Sequence, residues 1–345
     1  MWRGVIEEYR AHLPVTERTP VVTLLEGGTP LLRARFPGEG GPTVWLKVEA
    51  GNPTGSFKDR GMTVAVSKAL EAASRGVICA STGNTAASAS AYAGRAGLPC
   101  VLIIPADGVA LGKLVQAVAH AATIIPVEGT FDAAFDLARL AADRFGLTLV
   151  NSVNPYRLEG QKTAAFEVCD ALGRAPGTLV IPVGNAGNIT AYWKGFTEYH
   201  AARRIAARPR LIGVQAEGAA PLVLGRPVER PQTVASAIRI GRPASWAGAI
   251  RAVEESAGEL LTVTDEEILA AQDLLGREGV FVEPASAASV AGWLKLQRAG
   301  RAPDDVVCVL TGHGLKDPAV IQQRLALPRP VPATLDGIAP KVAIR

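Results

Sequence analysis

The segment Gly51-Asn52-Pro53-Thr54-Gly55-Ser56-Phe57-Lys58-Asp59-Arg60-Gly61-Met62 joins turn chemistry to the start of a helix. Asn-Pro-Thr-Gly is a turn string, and Met62 to Leu70 reads as a buried helix. Lys58 therefore stands at or just before a helix's first turn, where the positive dipole end disfavours a cation. A lysine held there has its free amine favoured, as one that attacks a carbonyl carbon to form a Schiff base requires. An isolated lysine with a wet head group is the ordinary alternative, and the neighbouring residues count against it.

Three further strings end strands and could bind ligands. Thr178-Leu179-Val180-Ile181-Pro182-Val183 runs into Gly184-Asn185-Ala186-Gly187-Asn188, followed by a helix from Ile189 to about Tyr199. A glycine-rich loop at a helix start exposes backbone N–H groups suited to a phosphate dianion. Its spacing is neither of the two common nucleotide-binding patterns. Leu211–Ala216 ends at Glu217, where a dinucleotide fold keeps a ribose-binding acid, but the fingerprint glycines are missing. Val77-Ile78-Cys79-Ala80 leads to Ser81-Thr82-Gly83-Asn84-Thr85, whose hydroxyls and amide could hold a carboxylate and a ring oxygen, or simply cap a helix. Val306–Leu310 ends at Thr311, a hydroxyl able to hydrogen-bond a pyridine nitrogen without protonating it.

Together these strings resemble the tryptophan-synthase-β-like enzymes (fold type II) that use pyridoxal 5'-phosphate. Thr311-Gly312-His313-Gly314-Leu315-Lys316-Asp317-Pro318 resembles one family among them, threonine synthase. So do Leu25-Glu26-Gly27-Gly28-Thr29-Pro30-Leu31, Asn151-Ser152-Val153-Asn154-Pro155-Tyr156-Arg157-Leu158-Glu159-Gly160-Gln161-Lys162, and the structural segment Glu283-Pro284-Ala285-Ser286-Ala287-Ala288. The chain departs from that family at Arg242, where asparagine is usual.

The resemblance implies that Lys58 carries the cofactor, with Gly184, Asn185, Ala186, Gly187 and Asn188 on its phosphate, Asn84 on its 3-hydroxyl and Thr311 on its pyridine nitrogen. Ser81, Thr82 and Thr85 would cradle the substrate carboxylate. Arg157 with Asn151, Ser152 and the more distant Lys113 would hold a second phosphate through charge-assisted bonds, and Asn188 would also contact the substrate. The implied reaction converts O-phospho-L-homoserine and water to L-threonine and phosphate. A threonine or serine dehydratase is the alternative enzyme. A non-catalytic phosphate or nucleotide sensor is the alternative of another class.

The elements that must position these residues are equally visible. Apolar runs at Val44–Val48, Val77–Ala80, Cys100–Ile104, Thr123–Val127, Thr178–Val183, Leu211–Ala216 and Val306–Leu310 read as strands. Thr85–Ala96, Gly112–Ala122 and Phe131–Phe145 read as helices. Such alternation predicts an α/β fold of open, mostly parallel twisted sheets flanked by helices. The resemblance divides the chain into a large domain of residues 1–52 plus 155–345 and a small domain of residues 53–154, with the active site in the cleft between them. Gly225–Pro231 reads as a surface loop, and the proline-rich tail after Leu327 as extended.

Composition excludes other classes. At 345 residues, 48% hydrophobic and 20% charged, the chain is globular. A net charge of +4 with scattered arginines predicts no nucleic-acid partner. No apolar run is long enough to span a membrane, and the charged start Met1-Trp2-Arg3-Gly4-Val5-Ile6-Glu7-Glu8 is unlike a signal peptide. The four cysteines lie apart in apolar runs, as buried thiols in a reducing compartment do, and the four histidines show no metal-ligand spacing. A cytoplasmic enzyme, homodimeric as the resemblance implies, is expected. Asparagine is scarce, and all six (Asn52, Asn84, Asn151, Asn154, Asn185 and Asn188) fall in the segments singled out above.

Overall fold

The computed structural model describes every residue except 39, 107–113, 324–328 and 343–345. Its strands are β1 (Leu31–Arg33), β2 (Thr43–Val48), β3 (Val77–Ala80), β4 (Cys100–Pro105), β5 (Thr123–Val127), β6 (Thr148–Leu149), β7 (Thr178–Pro182), β8 (Arg210–Ala216), β9 (Glu259–Val263) and β10 (Asp305–Leu310). The helices of the first half are α1 (Val5–Glu8), α2 (Lys58–Glu71), α3 (Asn84–Ala96), α4 (Val115–Ala119), α5 (Phe131–Phe145), α6 (Pro155–Gln161) and α7 (Thr163–Leu172). Those of the second half are α8 (Gly187–Ala201), α9 (Pro221–Leu224), α10 (Trp246–Glu255), α11 (Asp265–Arg277), α12 (Pro284–Arg298), α13 (Ala319–Gln323) and α14 (Leu335–Ile338). None is long and apolar enough to cross a membrane among the described residues.

The strands form two sheets, a six-stranded one of order β1-β2-β10-β7-β8-β9 and a four-stranded one of order β5-β4-β3-β6. Every pairing is parallel except β1 with β2. All seven expected strands appear within a residue of their expected ends. β1, β6 and β9 went unanticipated. The first two are three and two residues long, and β9 is half-buried along most of its length, so none shows a continuous apolar run.

Central strands need cover on both faces, and both sheets receive it. Phe166, Ile189, Tyr192 and Phe196 from α7 and α8 pack on one face of the larger sheet. Ile268, Leu275, Val290 and Trp293 from α11 and α12 pack on the other. On the smaller sheet, α2 and α3 bring Met62, Ala65 and Tyr92 to one face, and Ala134, Ala138 and Ala142 of α5 cover the other. Burying a single such large apolar side chain contributes about 1.5–3 kcal/mol.

The helix expected over Gly112–Ala122 is described only as Val115–Ala119, its start lying outside the described residues. Gly225–Pro231 lies largely exposed on the surface, as its composition suggested. The tail departs from expectation, because Leu335–Ile338 forms a short helix instead of extended chain.

One close crossing matters for function. A Cβ on Gly160 would sit 1.9 Å from the Arg60 carbonyl oxygen, and one on Gly61 would sit 2.6 Å from the Arg157 carbonyl oxygen. Glycine at both positions lets α2 and α6 touch backbone to backbone. That contact brings Arg157 to the helix that begins with Lys58.

Candidate active site

The loops carrying the expected chemistry follow the C-terminal ends of β3, β7 and β10, where open parallel sheets bind ligands. Lys58 is the first residue of α2, as its sequence context required. The turn before it is fastened to the exit of β10. Phe57 N–H donates to the Thr311 carbonyl at 3.0 Å, His313 N–H donates to the Gly55 carbonyl at 2.9 Å, and Ser56 bridges to Gly312. Gly55 has φ +83°, a conformation that favours glycine. Asp59 closes the turn, accepting from Thr54 N–H at 2.7 Å, Thr54 Oγ1 at 2.6 Å and Ser88 Oγ at 2.6 Å. Backbone hydrogen bonds thereby hold the turn that carries Lys58 against the strand end at Thr311.

The Lys58 amine is depressed from 10.5 to about 7. Burial is the main cause, the Arg157 guanidinium adds to it, and the Glu283 carboxylate opposes it. The sequence pointed to the helix dipole, whereas loss of water and a nearby cation account for the shift. Beneath α2 lies a buried ionic cluster. Arg60 Nε bonds Glu49 Oε2 at 2.6 Å, Arg60 Nη1 bonds Glu167 Oε1 at 2.5 Å, and Lys47 Nζ bonds Glu167 Oε2 at 2.7 Å. With charges paired and hydrogen-bonded, this cluster anchors the helix start to β2 and α7.

Arg157 is 1% exposed, and no carboxylate pairs with it among the described residues. Its Nη1 donates to the Val150 carbonyl at 2.7 Å, while Nε is buried without a partner. Burial lowers this guanidinium to about 10. A buried, unpaired cation beside Lys58 is suited to an anion.

The other expected residues divide. Asn151 spends its amide on the end of β3, accepting from Ala80 N–H at 3.0 Å and donating to the Ala80 carbonyl at 2.9 Å. One N–H remains for a ligand. Ser152 is half-buried in the turn before α6. Asn154 caps α6, accepting from Tyr156 N–H at 3.0 Å. Lys113 lies outside the described residues. Arg242 is exposed.

The loop 184–188 leads into a helix start whose backbone N–H groups suit an anion. Ala186 has φ +64°, turning the chain sharply into α8, which starts without a side-chain cap. Asn188 Nδ2 in its first turn is buried and has no partner. Segment 237–245 holds the loop from outside: a Cβ on Gly184 would come within 2.9 Å of Ile238 Cα, and Ser245 N–H donates to the Asn185 carbonyl at 3.1 Å. In the loop 81–85, Ser81 Oγ accepts from Gly83 N–H at 3.3 Å, and α3 starts uncapped at Asn84 with Thr82 and Thr85 half-buried beside it.

Three residues emerge that sequence reasoning did not assign to the site. Ser286 Oγ lies 3.1 Å from Thr311 Oγ1 and accepts from Gly312 N–H at 2.7 Å. Glu283 takes the Asn84 amide at 3.0 Å. Lys316 Nζ donates to the Thr54 carbonyl at 3.2 Å and to Gln116 Oε1. The polar positions within Glu283–Ala288 and the Lys316 charge were the available signals.

Comparison with known proteins follows this geometry. The sequence profile of the family described as pyridoxal-phosphate dependent enzyme matches residues 22–312. The chain is 58% identical to threonine synthase of Mycobacterium leprae (strain TN), covering 98% of this chain and 95% of that protein. It is 48% identical to threonine synthase of Methanocaldococcus jannaschii, covering 92% and 81%. Among solved structures, threonine deaminase isoform 2 from Solanum lycopersicum superposes with a TM-score of 0.76 at 22% identity, covering 92% of this chain and 86% of that one. That likeness is one of fold.

Proposed function

The chain belongs to the threonine synthases, enzymes of the pyridoxal-phosphate-dependent family, and we propose that it converts O-phospho-L-homoserine and water to L-threonine and phosphate. The observation that carries the choice of substrate is Arg157, a buried guanidinium without a carboxylate partner next to the reactive lysine. An amino acid bearing its own phosphate supplies the missing anion.

The residues fit the cofactor. The uncapped start of α8 and the orphaned Asn188 Nδ2 suit its phosphate, and a lysine near neutrality suits its aldehyde. When bound, pyridoxal phosphate supplies an electron sink for negative charge developing on the substrate carbons. Lys58 would hold the cofactor, give way to the substrate amine, and then move protons at Cα and Cβ. Burial and Arg157 lower its amine to about 7, in the range a general base near neutral pH needs. Arg157 would orient the γ-phosphate as the leaving group and balance its charge. Ser81, Thr82, Thr85 and the N–H groups opening α3 would take the α-carboxylate.

Thr311 would donate to the pyridine nitrogen. For that, Ser286 would turn its hydroxyl proton from the Gly312 carbonyl, 3.0 Å away, to the Thr311 oxygen, 3.1 Å away, and so fix the direction of the proton Thr311 donates. We further propose that residues 53–154 form one domain and the remainder another, with the site in the cleft between them, and that the enzyme acts as a cytoplasmic homodimer. Reading the visible spectrum of the holoenzyme tests the substrate choice. O-phospho-L-homoserine should perturb it at low concentration and homoserine only far above that. Equal responses to both would remove the phosphate from the account.

A further inference from the structure

Glu283 precedes α12 and is 2% exposed. Its backbone N–H donates to the Gly312 carbonyl at 3.0 Å, one residue beyond Thr311. Its carboxylate lies against that turn so closely that a Cβ on Gly312 would come within 2.5 Å of Oε1. From this fixed base it reaches Asn84 at the start of α3. Asn84 Nδ2 donates to Oε1 at 3.0 Å and to Oε2 at 3.3 Å. No cation forms a salt bridge with Glu283 among the described residues. The charged groups facing it are Lys58 on α2 and, after β10, Lys316 and Asp317. Lys316 is committed to the Thr54 carbonyl and Gln116, and Asp317 accepts from Ser236. A buried carboxylate without an ion pair is costly, and packing alone would be served better by an apolar residue.

We propose that Glu283 is a positioning residue that fixes the orientation of the Asn84 amide, keeping its nitrogen end toward Glu283 and one N–H free for the 3-oxygen of the cofactor. The inference rests on the reading of Asn84 as a cofactor contact. An asparagine amide has two nearly isosteric ends, and only an acceptor that cannot donate selects between them. An ionised carboxylate is such an acceptor, and a protonated one is not. Burial pushes the Glu283 carboxyl up to about 7, with the Asn84 hydrogen bond opposing. Selection of the amide therefore holds above that pH and weakens as pH falls through it.

The test compares pyridoxal phosphate affinity and the pH dependence of the bound cofactor's visible absorption in the full chain. Glu283→Ala and Asn84→Ala should each weaken binding about tenfold, the value of one charge-assisted hydrogen bond. The double variant should bind no worse than the weaker single variant. Glu283→Gln can donate as well as accept, so its affinity should stay near that of the unmodified protein at low pH, and the spectral change between about pH 6 and 8 should be lost. Additive losses in the double variant, or Glu283→Gln with the pH response of the unmodified protein, would overturn the proposal. The second comparison stands even where Glu283→Ala fails to fold. If Asn84→Ala leaves affinity and spectrum unchanged, Asn84 is not a contact and the underlying reading falls with the inference.

Discussion

Replacing Arg157 with methionine removes a cation while keeping most of the volume that α2 and α6 enclose. Two charge-assisted hydrogen bonds from a guanidinium to a phosphate contribute about 1.5–3 kcal/mol each. Losing them should lower kcat/KM for O-phospho-L-homoserine at least about a hundredfold, at about 1.4 kcal/mol per factor of ten. Stability should not follow. The guanidinium is buried and lowered to about 10 from its ordinary value, so its protonated form is disfavoured in the fold at every pH below that. Removing it relieves that cost and sacrifices one charge-assisted bond to the Val150 carbonyl, worth about 1.5–3 kcal/mol. The melting temperature of the cofactor-free protein at pH 7 should therefore hold steady or rise. Arg157 also depresses Lys58, so the acid limb of the rate profile should move to higher pH. Phosphate release across substrate concentration and pH, with thermal melts of the same preparations, measures all three effects. A rate loss below tenfold, or one that tracks a fall in melting temperature, would refute the reasoning.

Other substitutions probe the remaining parts. Borohydride reduction of the holoenzyme followed by peptide mapping should place the pyridoxyl group on Lys58, and a label on Lys47 or Lys162 would overturn that assignment. The rate at which the apoprotein captures pyridoxal phosphate should rise with pH and level off just above about 7, the value to which burial lowers Lys58; an ordinary lysine would keep gaining to about pH 10. Thr311→Ser should retain much of the activity, whereas Thr311→Asp should shift the cofactor spectrum and impair turnover. Burial alone would raise the Glu167 carboxyl, but Arg60 and Lys47 hold it at about 2. Its contribution is thus present above about pH 4.5 and lost as pH falls toward about 2. Glu167→Ala should cost about 3–5 kcal/mol at pH 7 by stranding buried cations, as denaturant unfolding would report.

Much of this was legible in the chain because strand ends and helix starts carry strong local signals. Continuous apolar runs marked the strands from β2 to β10 that bear the site, and glycine with asparagine marked the loops after β3 and β7. Lys58 stood out through its turn. What stayed hidden depends on contacts between segments far apart in sequence. Asn151 looked like a ligand donor, yet most of its amide pairs with Ala80, seventy-one residues away. Glu283 looked structural, and only the approach of α3 to the turn after β10 gives its carboxylate a partner. Likewise the depression of Lys58 arises from burial and Arg157, which no local reading of α2 could supply.

The central claim is that Lys58 and Arg157 together make a lyase for a phosphorylated amino acid. Product stoichiometry tests it most directly. Purified protein loaded with pyridoxal phosphate is given O-phospho-L-homoserine, and phosphate, threonine, ammonia and 2-oxo acid are assayed together. Phosphate and threonine should appear in equal amounts, with little ammonia, and threonine supplied as substrate should be deaminated far more slowly. Ammonia and 2-oxo acid as the main products, or faster deamination of threonine than release of phosphate, would contradict the account.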